Sequence, residues 1–259
     1  MFTHRTHKPG VGGSNPPLAT KNLLKIIMNF IHIGAGAGDL DPSSNFRDGF
    51  SEYVKKNKSK NKKIFLVEAN PKNIKKLRES WKKYKAVKIF NYAIIPNRFK
   101  KKKIKLFYSE NDAPHYQLLS SDIDHIKRYF PISKIKYIFA KTLKIKKLLE
   151  KNFKNIQIES LSIDVEGADF DIMMDIDLKK FNIINVSIEY LHLTRNQKKK
   201  ILNKFLENGY SYNGFGIDHN NIDWLFTKKK SKWNDLISRT LPYIHRIHYK
   251  RVNRILKKL

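Results

Sequence analysis

The sequence predicts an α/β protein: a mostly parallel seven-stranded sheet with helices on both faces and an antiparallel hairpin strand towards the C-terminus. Three stretches carry that expectation. Ile31-His32-Ile33 is a short apolar strand that runs into Gly34-Ala35-Gly36-Ala37-Gly38-Asp39, with glycines on alternate positions. Ile64-Phe65-Leu66-Val67 is apolar throughout and ends at Glu68. An unbroken apolar strand is one buried on both faces, as parallel strands covered by helices are. Tyr210 to Gly216 and Ile222 to Thr227 are joined by five residues, which suits a hairpin and is too short for a crossover helix.

Residues Met1 to Thr20 are rich in Gly, Pro, His and Thr and lack apolar periodicity, so 1–27 is expected to be a disordered leader, with Met28 a second plausible start. Lys25 and Asn29 interrupt the apolar run Leu23 to Ile33, which argues against a signal peptide. No stretch approaches the roughly 20 apolar residues of a spanning helix. A soluble, cytoplasmic protein is the expectation. After the glycine loop come a polar connection, Leu40 to Arg47, and a helix over Phe46 to Asn57 with Phe50, Tyr53 and Val54 on one face.

Glu68 closes the second strand, where one carboxylate can accept both hydroxyls of a ribose. Capping the helix that starts at Pro71 is the other use for an acid there. That helix should run to Tyr84, followed by a third strand, Val87 to Ile94, holding Asn91-Tyr92-Ala93. Ile104 to Tyr108 reads as an extra strand. Glu110 to Tyr129 reads as polar and irregular, with His115, Ser120 and Ser121, and is placed to close over a ligand.

Thr142 to Lys151 has the spacing of an amphipathic helix through Leu143, Leu148 and Leu149. Ile158 to Val165 is a strand ending in Asp164-Val165-Glu166-Gly167, and the helix from Ala168 offers Phe170, Ile172, Met173 and Ile176 to the core. Strand Ile183 to Tyr190 again meets an acid, Glu189, with His192 just beyond; a helix over Asn196 to Asn208 stops at Gly209. Open α/β sheets bind ligands beyond the carboxyl ends of their strands. Asp164 and Glu166 are therefore expected beside the glycine loop.

Composition narrows the function classes. The 259 residues suffice for one sizeable core, here 28–230, with 231–259 as a basic amphipathic helical tail. Cysteine is absent, which excludes disulfides and thiolate metal sites. Net charge is +30, which fits an anionic partner, nucleic acid or a lipid surface, and equally fits lysine-rich solvated faces. Lys228 to Leu259 carries eleven Lys/Arg against one acid, Asp235, so the tail could lie on an anionic membrane, pack on the core, or touch RNA.

Spacing separates two cofactor classes at the glycine loop. The dinucleotide fingerprint G-x-G-x-x-G needs a third glycine where Asp39 stands. Here the glycines read G-x-G-x-G, and a plain glycine-rich turn would account for the loop alone. Further stretches add to it: VEANP after the second strand, NYAI in the third, Thr142-Leu143, SIDVEGADFDIM and SIEYLHLT. With these, the chain over about Asn29 to Lys229 resembles the FkbM family of S-adenosyl-L-methionine (SAM) dependent methyltransferases, SIDVEG being the most diagnostic segment. His32 departs from the family, which usually has an acidic residue there.

The resemblance implies a Rossmann-like class I methyltransferase fold, SAM as cofactor, and O-methylation of a hydroxyl on a sugar or glycoconjugate. The residues expected to hold the cofactor are Gly34, Ala35, Gly36, Gly38, Asp39, Glu68, Ala69, Asn70, Ala93 and Asp164. An alcohol acceptor must lose its proton, and Asp164, Glu166 and His192 are the catalytic candidates by strand-end position, with His115 behind them. A helix N-terminal carboxylate and a locally bonded histidine are the structural alternatives for Glu166 and His192. A divalent ion on Asp164, Glu166, Glu189 or His192 is chemically open, but no spacing demands one and no metal is expected. The competing reading is a basic nucleic-acid-binding protein or RNA methyltransferase, with a catalytically inert association module as a third. Against RNA base methylation, Asp-Val-Glu-Gly stands where such enzymes commonly carry Asn/Asp-Pro-Pro-aromatic.

Overall fold

The computed structural model describes residues 27–40, 49–58, 61–113, 116–216, 222–228 and 234–245, together with Val252 and Leu256. The expected leader up to residue 26, the loop 41–48, His115, the hairpin connection 217–221 and most of the basic tail lie outside the described residues. The first half of the chain forms β1 (Met28–Ile33), α1 (Gly49–Lys56), β2 (Lys62–Val67), α2 (Pro71–Trp81), β3 (Val87–Phe90), β4 (Ala93–Ile95), β5 (Lys103–Ser109) and α3 (Ile123–Tyr129). The second half forms β6 (Ile135–Lys144), α4 (Ile145–Phe153), β7 (Ile158–Ile163), α5 (Asp169–Asp175), β8 (Ile183–Glu189), α6 (Arg195–Glu207), β9 (Tyr210–Phe215), β10 (Asp223–Lys228) and α7 (Asn234–Ile244).

Seven strands make the main sheet in the order β3-β2-β1-β7-β8-β10-β9. The first five run parallel, and β10 is antiparallel to both β8 and β9. The reversing strand is thus inserted between β8 and β9, and the edge strand β9 runs with the rest. Alternation along the strands divides the core. Phe30, Ile64 and Leu66 pack with Phe50 and Val54 of α1 and Leu77 and Trp81 of α2. Ile31, Ile33, Phe65 and Val67 face the opposite way, towards Leu148, Leu149 and Phe153 of α4 and Ile172 and Met173 of α5. At the far end Phe205 of α6 stacks on Phe226 of β10 at 3.9 Å.

Three elements differ from expectation. The third strand breaks in two, because the Asn91 side-chain amide donates to the Glu68 and Ala69 carbonyls (2.9 and 3.1 Å) and turns the chain out of the main sheet. The second piece, β4, joins a small sheet in the order β4-β6-β5. Thr142 and Leu143 end the strand β6 instead of starting a helix: the Thr142 N–H and hydroxyl donate to the carbonyls of Lys102 (3.0 Å) and Lys101 (2.7 Å), and α4 begins at Ile145. The segment expected to be irregular contains α3, whose N-cap Asp122 accepts the Asp124 N–H at 2.9 Å.

From the centre, β1, β2 and β3 step one way and β7 and β8 the other. In such a sheet a crevice opens beyond the carboxyl ends of the two central strands, here β1 and β7.

Candidate active site

Both walls of the crevice are backbone first. The Gly34 and Ala35 N–H groups donate to the Val67 carbonyl (2.9 and 3.0 Å), and the Asp164 N–H donates to the Ile33 carbonyl (3.0 Å). Gly34, at φ +86°, is where the loops after β1 and β7 meet, and a Cβ there would run into the Asp164 carbonyl. Gly36, at φ +53°, is different: a Cβ would meet nothing within 4 Å, because this residue faces the open crevice. Glu68 closes the loop. Its Oε2 accepts the Gly36 N–H at 2.7 Å and its Oε1 the Asn70 N–H at 2.6 Å. Burial pushes this carboxyl up to about 7, against the downward pull of those N–H groups.

The resulting cleft has a volume of about 430 Å³. Gly34, Ala35, Gly36, Gly38, Glu68, Ala69, Ala93 and Asp164 line it, as the sequence led one to expect of cofactor contacts. Asp39 and Asn70 do not. The 3-10 turn Gly38–Leu40 carries Asp39 towards the helices, where its N–H donates to the Ser80 hydroxyl at 2.9 Å and its carboxylate pairs with Lys55. Asn70 caps α2 by accepting the Lys72 N–H at 3.1 Å. Tyr92, Ile104, Leu106 and Leu119 also line the cleft, and none of them was a site candidate from the sequence. Ile104 and Leu106 belong to the small sheet, which no motif announces.

At the other end of the cleft the chain gathers acids and histidines. Glu166 is held at φ +52°, outside the range most side chains adopt. Three hydrogen bonds fix that turn: the buried Asp169 carboxylate accepts the Val165 and Gly167 N–H groups (2.9 and 3.1 Å), and the Ser120 hydroxyl donates to the Glu166 carbonyl (2.8 Å). The Glu166 side chain then reaches two imidazoles, with His125 Nε2 at 3.0 Å and His192 Nε2 at 3.6 Å from its Oε2. His192 Nε2 also lies 3.0 Å from Glu189 Oε1. Asp164, Glu166 and Glu189 each bring a carboxylate oxygen within 4.8 Å of the others.

The three catalytic candidates from the sequence therefore come together, and His125 joins them. A signal for His125 existed in Asp122, an N-cap residue directly before the apolar Ile123, which would have announced a helix. The crowding shows in the titration behaviour. Burial, then the charges of Glu189, Glu166, Asp223 and Asp169, push the Asp164 carboxyl well above its usual range. Asp169 is pushed up to about 7 by burial and Glu189, and the bond to Glu189 raises His192.

With this geometry in view, the family model described as the Methyltransferase FkbM domain matches residues 32–212. The chain belongs to the FkbM methyltransferase family. No curated protein gives a significant match. Among solved structures, the chain is similar to a precorrin-6y C5,15-methyltransferase from Geobacter metallireducens, at 14% identity over 81% of this chain and 83% of that one, TM-score 0.38. It is also similar to fibrillarin from Aeropyrum pernix in complex with SAM (9% identity, 78% and 66% of the two chains, TM-score 0.37). A human methyltransferase 10 domain containing protein matches at 11% identity over 85% and 77% of the two chains, TM-score 0.38.

As an FkbM methyltransferase the chain uses SAM, and the cleft fits it. The space in front of Gly36 is what a closely approaching ligand needs, Glu68 retains lone pairs for ribose hydroxyls, and about 430 Å³ is within the size range of cofactor sites. When bound, SAM supplies a methyl group on a positively charged sulfur. Among the described residues of this FkbM methyltransferase, no helix is long and apolar enough to cross a membrane.

Proposed function

We propose that the chain methylates a hydroxyl of a sugar or glycoconjugate. Methyl transfer from a sulfonium is an in-line displacement, so the protein's work is to hold the acceptor oxygen in line and to remove its proton. The observation that carries this reading is the convergence of Asp164 and Glu166 on the cleft, backed by His125, His192 and Glu189. The acceptor O–H is gripped by Glu166, which the histidines hold from behind. Its proton passes to Asp164 as the new O–CH3 bond forms and the S–CH3 bond breaks, leaving a neutral thioether. Asp164 suits this part because its raised affinity for protons makes it a stronger base than an exposed carboxylate. The acceptor most in keeping with two carboxylates and two imidazoles side by side is a polyol, whose several hydroxyls each need a partner. Asp-Val-Glu-Gly, in place of a base-stacking Asn/Asp-Pro-Pro-aromatic segment, favours a hydroxyl over a nucleobase nitrogen.

The test is transfer of a radiolabelled methyl group from SAM to three acceptor pools: free glycosides, nucleoside diphosphate sugars and unmodified ribosomal RNA. Label in a sugar pool, removed by Asp164→Asn with a loss of about 10²- to 10⁴-fold in kcat and with SAM binding retained, is the expected result. Label confined to RNA overturns the acceptor assignment.

A further inference from the structure

We propose that His125, His192, Glu166 and Glu189 form a binding site for one divalent first-row transition ion, such as manganese, iron(II), cobalt or zinc. The proposal rests on how the donor atoms adjoin: His125, Glu166 and His192 bring ligand atoms within 4.8 Å of one another, and Glu189 joins them through His192. Glu166 Oε2 faces the Nε2 atoms of both imidazoles, at 3.0 and 3.6 Å, and His192 Nε2 faces Glu189 Oε1 at 3.0 Å. Ligands about 2.1 Å from a shared ion lie about 3.0–3.5 Å apart when adjacent in its coordination shell. The two contacts at 3.0 Å fall in that range, and the one at 3.6 Å needs only a small closure.

Hydrogen bonds alone leave this arrangement incomplete. His125 Nε2 serves Glu166 and His192 Nε2 serves Glu189 Oε1, which leaves Glu189 Oε2, on a residue 3% exposed, buried without a hydrogen-bond partner among the described residues. Asp164, Glu166 and Glu189 also crowd together with no lysine or arginine paired to any of them among the described residues. An acidic group of this kind, half-buried at Asp164 and Glu166 and buried at Glu189, calls for a cation. Two imidazoles beside carboxylates select a borderline transition ion over magnesium or calcium, which take oxygen ligands. The Tyr129 hydroxyl lies 3.5 Å from both ring nitrogens of His192.

The site gives the proposed hydroxyl chemistry a further means, and in that respect rests on it. Glu166 is the member of the group that lines the cleft, so an ion there would sit at the cleft's acidic end and could take an acceptor oxygen as a further ligand. Coordination lowers the pKa of a hydroxyl, and the proton released goes to Asp164 as before. The binding itself does not depend on which acceptor is used.

Cobalt(II) is the probe. The full chain, stripped with chelator and dialysed, is titrated with cobalt chloride while ligand-field absorption is recorded, with metal content of the dialysed complex measured independently. Expected is saturation at one ion per chain, with affinity reduced about tenfold or more in both His192→Gln and Glu189→Gln. His192 is partly exposed, and thermal unfolding and SAM titration of each variant establish that it is folded. Failure of the wild type to hold cobalt, or equal binding by wild type and the His125→Gln/His192→Gln double variant, overturns the site. Sugar methylation without cobalt binding would sink the metal site alone. Cobalt binding without sugar methylation would sink the acceptor assignment alone.

Discussion

Gly34 and Gly36 stand two residues apart in one loop and answer to different neighbours. Gly34→Ala forces a Cβ against the Asp164 carbonyl, and neither loop can yield without breaking the hydrogen bonds that join β1 to its neighbours. The expected loss is on the order of 2–4 kcal/mol, read by chemical denaturation. Gly36→Ala meets no atom, so its cost is the left-handed backbone alone, about 1–2 kcal/mol, but its methyl group enters the cofactor cleft. Calorimetric titration with SAM should show the larger defect in Gly36→Ala; the reverse ranking would mean that the cofactor lies elsewhere. Glu68→Gln removes the charge that the ribose hydroxyls are proposed to meet, and SAM affinity should fall about 10- to 100-fold. The glycines and strand-end acids were legible because their chemistry is tied to the backbone position where a strand ends. Asp39 and Asn70 stand outside the cleft lining for the opposite reason. Which way a side chain leaves a 3-10 turn or a helix cap depends on partners such as Lys55 and Lys72, remote or local, that spacing does not reveal.

At the scale of elements, the large sheet could be read, and of the small one only β5, as the extra strand Ile104 to Tyr108. Strands β1, β2, β7 and β8 are buried on both sides and so are apolar enough to stand out. In β6, by contrast, Tyr137 and Phe139 are exposed and Lys136, Lys141 and Lys144 are interspersed, so neither period two nor continuous apolarity is visible. The leucines of α4 then drew Thr142 into the helix. The short α3 was lost among polar neighbours, and His125 with it. The turn between β7 and α5 is the element on which the site depends most. Its Asp169 carboxylate binds two N–H groups and thereby holds Glu166 in a conformation it would not choose. Asp169→Ala should lower stability by about 1–3 kcal/mol. Released from that turn, Glu166 relaxes towards negative φ and leaves the histidines, so kcat should drop while the Kd for SAM changes little. A parallel loss of SAM affinity would show that the turn supports the glycine loop as well.

The whole molecule carries a net charge of +30, yet half-buried and buried carboxylates gather in and behind its cleft, and this contrast sets its response to pH. Surface acids behave in the ordinary way. Hydrogen bonds from Lys136, Lys180 and the Lys180 N–H hold Glu110, Glu150 and Asp177 low, so their stabilisation is present above the usual carboxylate range and is lost as pH falls. The site groups have the opposite sign. Glu68 and Asp169, both pushed up to about 7, and Asp164, raised by burial and then by its acidic neighbours, bind protons more tightly folded than unfolded. Their contribution is complete below the unfolded carboxyl values and is lost as pH rises through about 7. For Glu68 alone, a rise from 4.5 to about 7 amounts to on the order of 3 kcal/mol. The ligand-free protein should therefore unfold at the highest temperature near about pH 5 and at progressively lower temperatures towards about pH 8. Ligands that favour the ionised carboxylates must counter this trend. Ribose hydroxyls donating to Glu68, or a cation held by Glu166 and Glu189, lower the proton affinity of the site, so saturation with SAM or cobalt should flatten the decline above about pH 6 and release protons on binding. Titrations at neutral pH in two buffers of different ionisation enthalpy measure that release directly, and an apparent binding enthalpy identical in both would mean that the buried carboxylates never face the ligand.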